Sequence, residues 1–128
     1  MSDKPSPYSY RVKSIVKTID GDTFDCIMDL GFDVLFVDGH TEKQMIPIIN
    51  FKGQKIAFAA DLIPTAGHVP LPYIPGYDIR PLTSLKEKES FLNFCNDNNV
   101  LLFFEHDAFE ELGLVHQTEH CQDLDAFQ

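Results

Sequence analysis

Three apolar runs in the chain are each followed within three residues by an acid or a histidine. The runs occupy residues 34–37, 56–60 and 100–104. Short apolar runs bounded by turn residues are typical of strands buried on both faces. The pattern therefore predicts three buried strands, with a polar side chain just beyond the end of each.

His40, Asp61 and His106 are those polar side chains. If the three strands lie side by side, their carboxyl ends bring these residues to one rim, where open α/β sheets tend to bind ligands. Two imidazoles and a carboxylate suit a zinc-like metal. Each residue taken alone is more often a turn former or a strand-end residue than a ligand. Three together favour a ligand role more strongly, and the spacing alone leaves both interpretations open.

The N-terminal part of the chain has the pattern of a hairpin. Residues 10–17 roughly alternate between apolar and polar, an Asp-Gly-Asp turn occupies residues 20–22, and a second alternating run follows. Two such runs around Asp-Gly predict a β-hairpin over residues 10–30. Residues 1–9 are polar and aperiodic, so we expect a loose tail there.

One helix is predicted in the second half of the chain. Ser84 and Glu87 have the spacing of a capping box, and an apolar stripe follows, so we expect a helix over residues 85–96 with Ser84 as its N-cap. Its charged residues 86–89 are expected to form a solvated face. Residues 64–81 hold five of the eight prolines, which predicts a stiff loop near the rim.

The C-terminal residues predict two short strands, over 112–115 and 124–127. His116, His120 and Cys121 lie at or after the first of them. They would form a second metal cluster if they lay on a helix, because histidines four residues apart share a helix face. The segment lacks a helical period, so we interpret it as an exposed hairpin.

The composition is that of an acidic chain able to form one folded domain. It has 128 residues, 44% of them hydrophobic, and a formal net charge of −10. Such a charge repels phosphate backbones, so no nucleic-acid partner is expected. No apolar run approaches the ~20 residues of a membrane span, and the N-terminus lacks a signal-peptide core, so we expect a cytoplasmic protein. Three scattered cysteines favour neither disulfides nor a thiolate zinc site.

Residues 16–24, Val-Lys-Thr-Ile-Asp-Gly-Asp-Thr-Phe, resemble the opening hairpin of the staphylococcal-nuclease family. That resemblance implies Asp22 as a calcium ligand with Asp20 beside it. The family's next strand carries a catalytic arginine, whereas here residues 32–37 contain none and the next arginine is Arg80. Without this cation a phosphoryl transition state is not stabilised, so nuclease activity is not favoured.

The remaining chain, from about Phe32 to Phe127, resembles the C-terminal half of a metallo-β-lactamase-fold hydrolase. The resemblance is carried by three segments in order: Asp-Gly-His-Thr at 38–41, Ala-Ala-Asp-Leu at 59–62 and Glu-His-Asp at 105–107. The loop over residues 63–82 resembles that of one bacterial subgroup. About three quarters of the chain is covered.

This resemblance implies a partial αββα sandwich of the α+β class, with one mixed sheet, one main helix and the added hairpin. It also implies a dinuclear zinc site in which His40 binds one metal, Asp61 bridges both, and His106 binds the other. The family's His-x-His-x-Asp-His signature, which supplies most of the ligands, is absent, since no histidine precedes His40. We therefore expect an incomplete site.

The missing half has a second consequence, because one broad apolar face of the sheet loses its usual cover. Two covers stay open: the nuclease-like hairpin over part of the face, and a homo-oligomer. The join near residues 28–32 suggests a truncated or chimeric chain made of residues 1–9, 10–30 and 31–128.

Three functions stay open: a hydrolase completed by a partner chain, a folded fragment without catalysis, and a nuclease-like module. An active hydrolase would attack an ester, amide or lactone carbonyl, or a phosphodiester. Inactivity of the isolated chain is the favoured expectation.

Overall fold

The computed structural model describes residues 11–19, 24–29, 31–117 and 122–126. The chain divides into two units, Met1–Phe32 and Asp33–Gln128, and each is described by itself. The domain boundaries expected from the sequence stay a prediction. None of the described helices is long and apolar enough to span a membrane.

The first unit contains the expected hairpin. Its strands β1 (Arg11–Thr18) and β2 (Phe24–Asp29) pair antiparallel, from Arg11 opposite Asp29 to Thr18 opposite Phe24, with two register shifts. The connecting residues 20–23 lie outside the described part of the chain. The predicted calcium ligand Asp22 and its neighbour Asp20 lie there too.

The second unit is a six-stranded mixed sheet with one α-helix. Its strands are β3 (Asp33–Val37), β4 (Gln44–Phe51), β5 (Gln54–Phe58), β6 (Leu101–Phe103), β7 (Leu112–Gln117) and β8 (Gln122–Ala126), and the helix is α1 (Pro81–Asp97). The strands follow one another in the sheet in chain order. The expected α+β class with one main helix is confirmed.

Only β5 and β6 pair parallel among these strands, with Ile56 opposite Leu101. Parallel neighbours need a long crossover, which here contains α1. Because β3, β4 and β5 alternate in direction, β3 runs the same way as β5 and β6. The carboxyl ends of these three strands therefore lie at one edge of the sheet, as the sequence predicted.

The core lies between α1 and one face of the sheet. Alternation along the strands places Val37, Ile46, Ile48, Ala57 and Leu102 on this face, and they pack with Phe91, Leu92 and Cys95 of the helix. Alternate strand residues point to opposite faces, so the remaining apolar positions point away from the helix.

Those remaining positions form the open face, which we define by Phe36, Met45, Ile49, Phe51 and Phe103. These side chains are 37–58% exposed. The expectation that all three predicted strands are buried on both faces is therefore wrong for β3, which is an edge strand. Positions of β3 to β6 on this face carry no charged residue.

The beginning of α1 differs from the prediction. The helix starts at Pro81 after Arg80, because proline's fixed φ and missing N–H suit the first helical position. Ser84 is therefore inside the helix and buried, and its Oγ has no hydrogen-bond partner in the described residues. The predicted capping box is wrong. The predicted solvated face is confirmed for Lys86 and Glu89, which are exposed, and is wrong for Lys88, which is fully buried.

Gly39 lies where the turn after β3 approaches α1, and a Cβ there would collide with the backbone and hydroxyl of Ser84. We expect Gly39→Ala to lower the free energy of unfolding by about 1–3 kcal/mol, because neither backbone can yield without losing packing. Urea denaturation followed by circular dichroism measures this. Gly76→Ala is the matched control, since a Cβ at that position would meet no other atom within 4 Å. Equal stability of both variants would contradict the prediction.

Candidate metal-binding rim

The rim consists of the residues that follow β3, β5 and β6 at one edge of the sheet. His40 lies in the turn after β3, Asp61 in the short 3-10 helix Ala60–Leu62 after β5, and His106 in the loop after β6. Ala60 has a left-handed backbone with φ +47°, which turns the chain sharply before Asp61. The structure therefore brings together the three residues predicted from the sequence.

Asp61 lies between the two histidines. Its Oδ1 is 3.1 Å from Nε2 of His106, and its Oδ2 is 3.6 Å from Nε2 of His40. The Asp61 side chain is 32% exposed, His40 18% and His106 52%, so the rim is open to solvent on the His106 side. One carboxylate thus faces a different imidazole with each oxygen.

A buried carboxylate orients His40. Nδ1 of His40 is 2.9 Å from Oδ1 of Asp78, whose side chain is fully buried, and the ring of Tyr77 packs edge-on at 5.5 Å. Both neighbouring carboxylates offer only acceptors, but Asp78 is within hydrogen-bond distance of Nδ1 whereas Asp61 is 3.6 Å from Nε2. These distances favour the proton on Nδ1 and leave Nε2 facing Asp61. Asp78 was not predicted as a site residue. The sequence feature that could have predicted it is a lone acidic residue in a proline-rich, mostly apolar loop.

The turn that carries His40 is fixed from α1. The Glu87 carboxylate accepts the backbone N–H of Asp38 at 2.8 Å and of Gly39 at 2.9 Å. From the start of the helix, the backbone N–H of Arg80 donates to the carbonyl of Gly39 at 2.8 Å. Charge-assisted bonds of this kind are stronger than neutral ones, so the turn is held firmly.

Asp107 ties together the loops that carry Asp61 and His106. Its Oδ1 accepts the N–H groups of Phe109 and Glu110, and its Oδ2 accepts that of Ala66 at 2.9 Å. These three donors lower the pKa of the Asp107 carboxyl, because they stabilise its charged form.

The donor set matches the chemistry that zinc prefers. Zinc ligands lie about 2.0–2.2 Å from the metal, so two ligands of one tetrahedral zinc are roughly 3.3–3.5 Å apart. Both contacts of Asp61 are close to this separation. Within the described ranges, however, no three His, Cys, Asp or Glu side chains are arranged to hold one ion. Each side of Asp61 thus offers two ligands, which fits part of a zinc site.

His116, the described member of the second cluster considered from the sequence, lies at the end of β7 away from the rim. His116 forms an ion pair with Asp125 across β7 and β8, with Nε2 and Oδ2 3.0 Å apart. His120 and Cys121 fall outside the described residues.

Solved structures similar to this chain are known. AbOPH, a hydrolase of the beta lactamase superfamily, matches with a TM-score of 0.69 at 19% identity over 78% of this chain. AidC, a dizinc quorum-quenching lactonase in complex with a product, matches with a TM-score of 0.68 at 20% identity over 77%. A probable metal-dependent hydrolase from Staphylococcus aureus gives 0.65 at 24% identity over 77%. The chain has part of a metallo-β-lactamase fold.

This part of the metallo-β-lactamase fold spans about a third of the solved structures, 35%, 34% and 35% of their lengths. At these identities the similarity shows the fold alone. No family model matches the sequence, and no curated protein matches it significantly. The nuclease resemblance of the hairpin stays a prediction, as does zinc binding by the rim residues.

We expect Asp107→Asn to destabilise the chain at neutral pH. The variant loses the negative charge that strengthens the hydrogen bonds from backbone N–H groups. This loss should lower the free energy of unfolding by about 1 kcal/mol, or the melting temperature by a few degrees. Because the pKa of Asp107 is lowered on folding, its contribution is present above the unfolded pKa of about 3.9 and is lost as pH falls through the folded pKa. The melting temperatures of the parent and the variant should therefore become equal in acid.

Thermal melts at pH 7 and in acid test this. Asp33→Asn is the control, since no described group donates a hydrogen bond to that exposed carboxylate. A stability gap between parent and Asp107→Asn that is the same at both pH values would contradict the prediction.

Proposed function

We propose that this chain is the part of a zinc-dependent hydrolase that supplies a bridging carboxylate and one histidine on each side of it. The observation that supports the proposal is the placement of Asp61, whose two oxygens face Nε2 of His40 and Nε2 of His106. The similar structures include a dizinc lactonase and a probable metal-dependent hydrolase, which favours the same chemical class for this chain.

The chain's own residues have distinct roles in such a site. His40 and His106 would each hold one ion, and Asp61 would be shared between them. Asp78 keeps the His40 proton on Nδ1, while Glu87 and Asp107 fix the loops that carry the ligands. When bound, zinc supplies Lewis acidity toward a carbonyl or phosphoryl oxygen and makes water more acidic. The substrate class is an ester, amide or lactone, or a phosphodiester.

The chain supplies too few ligands to work alone. Structural zinc sites have four protein ligands and catalytic sites usually three, whereas each side of Asp61 offers two. No histidine precedes His40 in the sequence, so the His-x-His-x-Asp-His ligands are not supplied by this chain. We propose that the isolated chain binds zinc weakly and is inactive, and that activity requires ligands from a partner chain.

Zinc binding tests this proposal directly. We expect the metal-free parent chain to bind zinc in equilibrium dialysis and Asp61→Ala to bind at least about tenfold more weakly, because the ligand common to both sides is removed. Asp125→Ala is the matched control, since it disrupts a similar histidine–aspartate pair far along the sheet. Equal zinc binding by Asp61→Ala and the parent would refute the assignment.

A non-catalytic interaction module is a second candidate, and the open face favours it. Five large apolar side chains lie exposed on one face of the sheet, which is unusual for a monomer surface. A charged group lies beside one of them, since Nζ of Lys52 is 5.2 Å from the centroid of the Phe51 ring. We propose that a second copy of the chain covers this face, because two copies of an apolar patch are complementary and no strand position of β3 to β6 on this face carries a charge that pairing would desolvate.

We expect a solution mass of twice 14.5 kDa, measured by light scattering after gel filtration. Phe51→Glu should give the single mass, because a charge on the open face must be desolvated in the dimer. Phe109→Glu should remain dimeric, since Phe109 is 92% exposed in a loop outside the sheet. A parent chain that stays at 14.5 kDa at high concentration would contradict the proposal.

A further inference from the structure

Lys88 is a fully buried cation in the middle of α1, on the same side as Phe91, Leu92 and Cys95. Burying an ammonium costs several kcal/mol, and an apolar residue would pack against the core without that cost. Its presence therefore needs an explanation other than core packing.

The ammonium of Lys88 is bound by the proline-rich loop. Nζ donates hydrogen bonds to the carbonyls of Pro70 at 2.8 Å, Tyr73 at 3.0 Å and Leu71 at 3.3 Å. An ammonium has three N–H donors, so these carbonyls account for all of them. Three carbonyls from one short segment converge on a single helix residue, which fixes the loop against α1.

The same loop carries Asp78, five residues beyond Tyr73. The Asp78 carboxylate is fully buried; Oδ1 contacts His40, and Oδ2 has no hydrogen-bond partner in the described residues. Burial lowers the pKa of Lys88 to about 8, and the negative charge of Asp78 opposes this shift. The ammonium therefore lies close enough to balance part of the Asp78 charge.

We propose that Lys88 is a positioning residue for the rim: by binding the loop at residues 70–73 it places Asp78, and Asp78 in turn holds His40 with its proton on Nδ1. Its purpose rests on the proposed function, because a fixed Nε2 matters for a metal ligand. The arrangement itself exists in the metal-free chain and is tested there.

The test uses nitrogen-15 spectra of the histidine rings in the metal-free chain. A protonated and an unprotonated imidazole nitrogen give different signals, so the spectra report which ring nitrogen carries a proton. We expect the parent His40 to show one form, protonated on Nδ1. Lys88→Met should show a mixture of the two tautomers, because the loop no longer holds Asp78 in place.

Lys86→Met is the matched control, since Lys86 is an exposed lysine two residues away on the same helix. It should leave the His40 signals unchanged, and circular dichroism establishes that each variant is folded. A folded Lys88→Met chain with the parent His40 signals would overturn the proposal, and so would an equal change in Lys86→Met.

A double variant covers the case in which Lys88→Met does not fold because the buried Asp78 carboxylate loses the electrostatic attraction of the ammonium. Asp78→Asn with Lys88→Met removes both charges. If Lys88 acts through Asp78, the double variant should show the same His40 signals as Asp78→Asn alone, because coupled residues are not additive. A further change in the double variant would overturn the proposal.

Zinc binding by the same variants separates this inference from the proposed function. One outcome refutes the zinc site but supports the role of Lys88. In that outcome the parent binds no zinc, its His40 is protonated on Nδ1, and this form is lost in Lys88→Met.

Discussion

Parallel strands cannot be joined by a tight turn, so the pairing of β5 with β6 requires the long connection from Phe58 to Leu101. Most of the residues that organise the rim lie on that connection, and Asp107 lies beyond β6. Asp61 leaves β5 at its beginning, and His106 follows β6 just beyond its end. Between them, the loop and α1 return across the sheet and bring Asp78, Glu87 and Lys88 to the same edge.

Helix α1 combines two functions that usually belong to separate elements. Phe91, Leu92 and Cys95 complete the core, as expected for a helix that covers a sheet. Glu87 and Lys88 extend from its first half toward two different loops and bind their backbone groups. The helix thus fixes the turn of His40 with an anion and the loop of Asp78 with a cation.

The sequence predicts the elements whose signal is local. Short apolar runs predicted β3, β5 and β6, because a strand is encoded by a few neighbouring residues. The polar residues directly after these runs predicted the rim. Strand β4 lies outside the predicted elements. It contains Pro47, which cannot donate to a sheet ladder and usually marks an edge strand, although β4 pairs on both sides.

The roles of Asp78, Glu87 and Lys88 could not be predicted in the same way. Asp78 meets a histidine 38 residues earlier, and Glu87 binds amides 48 and 49 residues earlier. On the sequence, Glu87 and Lys88 belong to an ordinary charged run, and Ser84 with Glu87 matches a helix start. Pro81 overrides that match and starts the helix one turn earlier, so Ser84 lies inside the helix instead of capping it.

Ala60 shows how this geometry is maintained. Its left-handed backbone costs a residue other than glycine about 1 kcal/mol or more, and the fold tolerates that strain beside Asp61. The position of the main chain at Asp61 is consequently set when the protein folds. In the proposed zinc site, the entropy of ordering this segment would therefore be lost in folding instead of in binding.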